Sequence, residues 1–151
     1  MERRKLIVGA AAVFLLFSGP WSLVSCDNRP SQGQLIYTKN CSNCHGDDGE
    51  GLGALIPPLA GADYVAQNQA SLPCIIHYGI DRSIMVNGTE YEQPMAGIPS
   101  LSLIQMTNLI NFINSSWGNE LPRVTVADVT AHFEECPEEM PIHLSDTVSS
   151  N

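Results

Sequence analysis

The sequence predicts an all-α domain, because the strongest local signals along its 151 residues are helix signals. Ser31 and Ser102 are each followed three residues later by a glutamine, which is the capping-box pattern of a helix start. Apolar side chains recur at helical intervals after Ser102. The chain length suits one small domain behind an amino-terminal export segment.

An export signal is predicted over residues 1–25, where three basic residues precede a mostly apolar stretch. The stretch ends at Leu23-Val24-Ser25-Cys26, which resembles the lipobox of bacterial lipoproteins. We therefore expect cleavage before Cys26, lipidation of its thiol, and a short tether over 26–30 that holds the domain at the periplasmic side of a bacterial membrane. The alternative is an uncleaved membrane anchor, since the apolar stretch approaches the roughly 20 residues that a span needs.

The first predicted helix leads into a C-x-x-C-H pentad. Gly33, Tyr37 and Cys41 recur at intervals of four on one face of that helix. The thiols of Cys41 and Cys44 lie about one helical turn apart, so both can add to the vinyl groups of one haem. His45 then becomes a ligand of the haem iron.

Other interpretations of this region fit less well. A zinc site at the pentad lacks a fourth ligand, and a thioredoxin-like dithiol needs a βαβ context that is missing here. The glycine-rich run 46–53 is predicted to be a tightly turning loop and not a phosphate loop, because no Lys-Ser or Lys-Thr follows it. A net charge of −9 excludes nucleic acid as a natural partner.

The remaining cysteines, Cys74 and Cys136, can form a disulfide in an exported protein. The alternative is a pair of free buried thiols, because sequence does not reveal whether the two Cα atoms lie close enough.

Short helices are predicted near 63–67 and 72–78, with Ser71 as a cap and Gly79 as a stop. His77 falls in the second of them. It is a conceivable sixth iron ligand, although a half-buried structural histidine is the simpler interpretation.

Asn87-Gly88 is a turn signal for a minimal hairpin, and it precedes Pro94-Met95. Prolines and a glycine are predicted to hold Met95 in a loop, where its thioether can face a metal. We therefore predict Met95 as the sixth ligand. Met85, beside the turn, is the one serious rival.

The best helix is predicted from Ser102 to about Ser116, packed against the first helix with Phe112 or Ile113 near Gly33 and Tyr37. A last short helix follows the cap pair Thr125 and Asp128. Residues 137–151 are predicted to be an acidic, disordered tail.

Several short motifs occur in a fixed order along the chain. They are Gly33-x-x-x-Tyr37, Cys41-x-x-Cys44-His45-Gly46, Pro57-Pro58-Leu59-Ala60-Gly61, Pro94-Met95 and Trp117-Gly118-Asn119. Over residues 31–136 the chain resembles monohaem class I cytochromes c, and especially the small domains that accompany periplasmic alcohol dehydrogenases and terminal oxidases.

The resemblance implies a cytochrome c fold of three to five helices around one covalent haem c. It implies thioethers at Cys41 and Cys44, axial ligands His45 and Met95, and a Pro57 carbonyl that orients the His45 ring. The implied function is one-electron transfer and not catalysis. Implied partners are a quinol-oxidising complex, a dehydrogenase or a terminal oxidase. The alternative function for the chain itself is a haem enzyme or gas sensor with a labile sixth ligand.

Overall fold

The computed structural model describes residues 29–137, in which four α-helical segments are followed by four short strands and then by two more α-helices. The helices are α1 (Gln32–Asn40), α2 (Ser42–His45), α3 (Asp63–Gln67), α4 (Leu72–Tyr78), α5 (Leu103–Ser115) and α6 (Val126–Glu134). The strands are β1 (Gly79–Ile80), β2 (Ile84–Val86), β3 (Thr89–Tyr91) and β4 (Met95–Ala96). The helical class is confirmed. The predicted three to five helices become six because the pentad forms its own single turn after Cys41.

Other predictions fall beyond these limits. The export signal, the lipidation site Cys26 and residues 138–151 of the acidic tail lie outside the described residues. Between residues 29 and 137, no helix has the length and apolar character needed to cross a membrane.

The helix starts are set by local capping. The Ser31 hydroxyl oxygen accepts a hydrogen bond from the Gln34 amide at 3.1 Å, and α1 begins there. Ser102 begins α5 with both bonds of a capping box, and Thr125 begins α6 in the same way. Three of the predicted starts are therefore confirmed.

The first and the longest helix pack closely, as expected. Tyr37 of α1 is only 1% exposed, and its ring centroid lies 5.4 Å from that of Phe112 on α5 and 4.8 Å from that of Trp117. Its hydroxyl donates a 2.6 Å hydrogen bond to the carbonyl oxygen of Gly46. This contact ties the helix pair to the segment that follows the pentad.

Gly33 permits this approach, since an added Cβ would meet the Asn108 carbonyl oxygen and lie 2.6 Å from the Phe112 Cβ. We expect Gly33→Ala to lower the free energy of unfolding by about 1–3 kcal/mol, because α1 must move away from α5. Chemical denaturation measures the change. Gln34→Ala, on the exposed side of α1, is the control and should stay within roughly 0.5 kcal/mol of the parent. Equal stability of the two variants would contradict the close packing.

Two predictions about the middle segment were wrong in detail. The Ser71 side chain makes no capping hydrogen bond, because a 3-10 turn over Gln69–Ser71 continues directly into α4. Met95 lies in a strand and not in a loop, since β4 pairs antiparallel with β1 and places Met95 opposite Ile80. The predicted hairpin is confirmed, with Asn87 and Gly88 at φ 51° and 75° between β2 and β3.

The interior of the domain lies under α5. Met106, Leu109 and Ile110 are at most 1% exposed, as the predicted apolar stripe requires. Trp117 follows the end of the helix at φ 54° and packs on the rings of Tyr37 and Phe112.

Candidate haem site

A cavity of about 400 Å³ opens beside the pentad, a size typical of small-molecule sites. Its walls are mostly apolar. They consist of Asn40, Cys41, Cys44, His45, Leu52, Leu55, Ile56, Pro57, Ile80, Arg82, Ile84, Tyr91, Gln93, Pro94, Met95, Ala96 and Ile98. A second, fully apolar space of about 60 Å³ shares Cys41, His45 and Met95 with it and reaches Leu109 and Ile113 of α5.

The two pentad thiols both line the larger cavity. Cys41 caps the end of α1 and is buried, whereas Cys44 is exposed, and both are free thiols. Burial, together with the neighbouring Cys44, raises the pKa of Cys41 to about 11. The thiol is therefore protonated and neutral at neutral pH, as an apolar wall requires.

His45 has one ring nitrogen engaged by the backbone. Its Nδ1 lies 3.0 Å from the carbonyl oxygen of Pro57. A carbonyl can only accept, so Nδ1 carries the proton and the lone pair of Nε2 is left for a metal. Burial lowers the pKa of His45, with the Pro57 hydrogen bond opposing it, and this favours the neutral imidazole that metals bind.

The glycine-rich loop after the pentad holds Pro57 in this position. The Gly51 amide donates to the His45 carbonyl at 2.8 Å, and Gly51 adopts φ 74°. An added Cβ at Gly51 would lie 2.7 Å from the carbonyl carbon of Pro57. The Gly49 carbonyl accepts from the amides of Leu59 and Ala60. The predicted tight turn thus fixes the relation between His45 and its backbone partner.

Met95 is the methionine that faces the site. It is half-buried on β4 and lines both the larger and the smaller cavity. The rival Met85 is 54% exposed and lines neither space, and Met106 is fully buried in the core. Met140 lies outside the described residues.

His77 belongs to a different environment. Its ring packs edge-on against Phe133 at 4.8 Å and Tyr78 at 4.5 Å, and it lines neither space. The structure therefore favours the simpler interpretation of His77 as a structural histidine.

Cys74 and Cys136 are joined by a disulfide, with their Cα atoms 5.6 Å apart. The bond attaches the end of α6 to α4, and neither cysteine lines the cavity walls.

Several lining residues were not identified from the sequence. Ile80, Arg82 and Ile84 come from β1, β2 and the link between them, while Tyr91 ends β3. Successive side chains of a strand point to opposite faces, and the residues on either side of Tyr91 are exposed. This pattern could have indicated that Tyr91 faces the interior. No local signal marks Arg82.

The residues fit a haem. In the described part of the chain, no group of three or more His, Cys, Asp and Glu side chains could hold a bare metal ion. The cavity instead combines apolar walls with two thiols, an imidazole and a thioether, which suits a flat apolar cofactor that brings its own metal. Fold and site together define a small helical haem-binding domain.

Comparison with known proteins agrees with this class. The cytochrome c family model matches residues 30–117, and the chain belongs to the cytochrome c family. Membership implies a covalently bound haem c and haem-based electron transfer.

Two groups of relatives are similar over 70–72% of this chain. The chain is 36% identical over 114 residues to the cytochrome c subunit of the quinone alcohol dehydrogenase of Gluconacetobacter polyoxogenes, covering 72% of this chain and 24% of that protein. It is 31% identical over 110 residues to cytochrome c-552 of a strain of Thermus thermophilus, covering 70% of each chain. The chain thus spans about a quarter of the length of the dehydrogenase subunit.

Proposed function

We propose that the protein carries single electrons on one haem c per chain, attached through Cys41 and Cys44 and axially ligated by His45 and Met95. One observation carries the proposal. The imidazole of His45 and the thioether of Met95 line the same apolar space as the two thiols, although 50 residues of sequence separate the two ligands.

The haem supplies an iron that accepts and returns one electron. The protein's own groups limit the rearrangement that accompanies this electron transfer. Pro57 orients the His45 ring, and the pairing of β4 with β1 holds the backbone of Met95. Ligands fixed in this way have little freedom to rearrange, and apolar walls keep water out.

A thioether ligand also favours the ferrous state and raises the reduction potential. With both axial positions taken by protein groups, no position is open for a substrate. The protein is therefore proposed to act as a carrier and not as an enzyme.

A potentiometric titration of the purified holoprotein tests this function. We expect one reversible step that follows the Nernst equation for a single electron, with the same curve in the oxidative and reductive directions. A step that is irreversible, or that splits with pH into ligand-exchange phases, would contradict a carrier with fixed ligands.

The proposed partners are proteins of a respiratory or dehydrogenase-linked chain. Similarity to the cytochrome c subunit of a quinone alcohol dehydrogenase supports a dehydrogenase complex as the partner. A quinol-oxidising complex and a terminal oxidase are the alternative partners proposed. The net charge of −9 favours a partner with a basic docking surface.

The protein is further proposed to be lipid-anchored through Cys26 at the periplasmic side of a bacterial membrane. We expect the native protein to sediment with membranes and a Cys26→Ala variant to lose the lipid mass. If the parent is found in the soluble periplasmic fraction, the anchor is wrong. If the variant remains in the membrane without the lipid mass, the uncleaved amino-terminal segment is the anchor.

A further inference from the structure

The walls of the larger cavity contain one Lys or Arg side chain, that of Arg82. Arg82 is exposed on its outer side, and within residues 29–137 it takes part in no hydrogen bond or ion pair. It is thus an unpaired cation at the edge of a mostly apolar space, in a chain where acids outnumber bases 16 to 7.

The position of Arg82 is fixed by the strands on either side. Ile80 of β1 and Ile84 of β2 both line the same cavity. β1 is paired with the strand that carries Met95, and β2 is paired with β3. The backbone of Arg82 thus lies in a short link between two paired strands whose residues line the cavity on either side of it.

The haem that the family implies carries two carboxylate side chains. A carboxylate placed against apolar walls without a partner is costly and tends to take up a proton. The guanidinium of arginine offers a planar fork of donors that matches a carboxylate. Asn40, Tyr91 and Gln93 add uncharged polar groups to the same walls.

We propose that Arg82 binds a carboxylate side chain of the haem and so keeps that carboxylate charged inside the protein. This inference rests on the proposed function, because it needs the haem to occupy this cavity. The neighbouring acids make the cation more necessary. Glu90 and Glu92 line a shallow depression beside the cavity, and both would repel a second negative charge.

The proposal has a consequence for the reduction potential. A charged carboxylate paired with Arg82 stays ionised through neutral pH, so the parent potential should be nearly constant between pH 6 and 8, roughly. Without the cation, the pKa of the carboxylate should rise by about 1–3 units. Reduction of the iron then favours protonation of the carboxylate, and the potential rises as the pH falls.

The other titratable groups that line the cavity are Cys41, Cys44, His45 and Tyr91. In the holoprotein the two thiols are thioethers and His45 is bound to iron, so none of these three titrates. All the variants compared retain Tyr91. Asp81, Glu90 and Glu92 are exposed carboxylates on the adjoining segments, and all the variants compared retain them.

The experiment compares the reduction potential of purified R82Q, R82K and parent holoproteins from pH 5 to 9, with R123Q as the matched control. Arg123 is exposed and does not line the cavity. We expect R82Q to show a pH-dependent potential in the neutral range and a lower potential than the parent at alkaline pH. R82K should show a smaller shift, and R123Q should follow the parent.

A potential in R82Q that follows the parent and R123Q at every pH would overturn the proposal. If R82Q does not accumulate with haem, R82K against R123K decides, and an unshifted profile in R82K would overturn it equally. Failure of the proposed function is distinguishable from failure of the Arg82 proposal, because the parent itself would then lack covalent haem or a reversible one-electron step.

Discussion

A Cys41→Ser, Cys44→Ser variant is expected to yield a chain from which acid–acetone extraction removes all haem. A thioether forms when a thiol adds across a vinyl double bond, and serine hydroxyls do not form this bond. The cavity of about 400 Å³ then has no covalent occupant. Its apolar walls become exposed to water, so we also expect lower helix content by circular dichroism.

The matched control removes the other pair of cysteines. Cys74→Ser, Cys136→Ser breaks the disulfide between α4 and the end of α6 without touching the cavity walls. This variant should keep its haem through extraction but lose about 2–4 kcal/mol of stability, because the bond closes a loop with a sequence separation of 62 residues. Covalent haem in the first variant, or its loss from the second alone, would contradict the assigned attachment sites.

Met95→Ala is expected to abolish the iron-to-sulfur charge-transfer band at the red end of the ferric spectrum. It should also lower the reduction potential by a substantial part of the roughly 0.8 V range that axial ligands cover. The reason is that Met95 is the methionine that lines the cavity shared with His45, while removal of its thioether leaves water or another weak ligand on the iron.

Met85→Ala serves as the control for this change. Met85 is 54% exposed on β2, outside the walls of the cavity, and its loss should leave band and potential unchanged. The ligand assignment is wrong if the band survives in Met95→Ala, and its disappearance in Met85→Ala would make Met85 the ligand.

Local chemistry explains which parts of the fold could be predicted. Capping by Ser102 and Thr125 depends on residues within one turn, and so does the Asn87-Gly88 turn between β2 and β3. These elements are specified by neighbours in the sequence. Gly33 and Tyr37 were predicted to lie near Phe112 or Ile113, and the contacts of both residues with Phe112 confirm this.

One error arose where a distant segment decides the backbone conformation, and the other where an adjacent turn does. Met95 was predicted in a loop because prolines and glycine surround it, but its backbone pairs with Gly79 and Ile80, which a local pattern cannot show. Ser71 has the residue type of a cap, yet the preceding 3-10 turn fixes its backbone in a helical conformation.

The residues of the site likewise fall into those that a local motif reveals and those that only the fold brings together. The thiols and His45 form one short motif, so their chemistry is visible in the sequence. Arg82 follows β1 and precedes β2, and it lines a cavity that the pentad and β4 also line. Only the folded chain reveals that juxtaposition.

The most direct test of the central claim is addition of carbon monoxide to the dithionite-reduced holoprotein, followed by its absorption spectrum. Two protein ligands on the iron predict sharp c-type bands that carbon monoxide does not move at neutral pH. Rapid formation of a carbon monoxide spectrum would mean an open or labile position opposite His45. It would contradict the carrier and favour a haem enzyme or gas sensor.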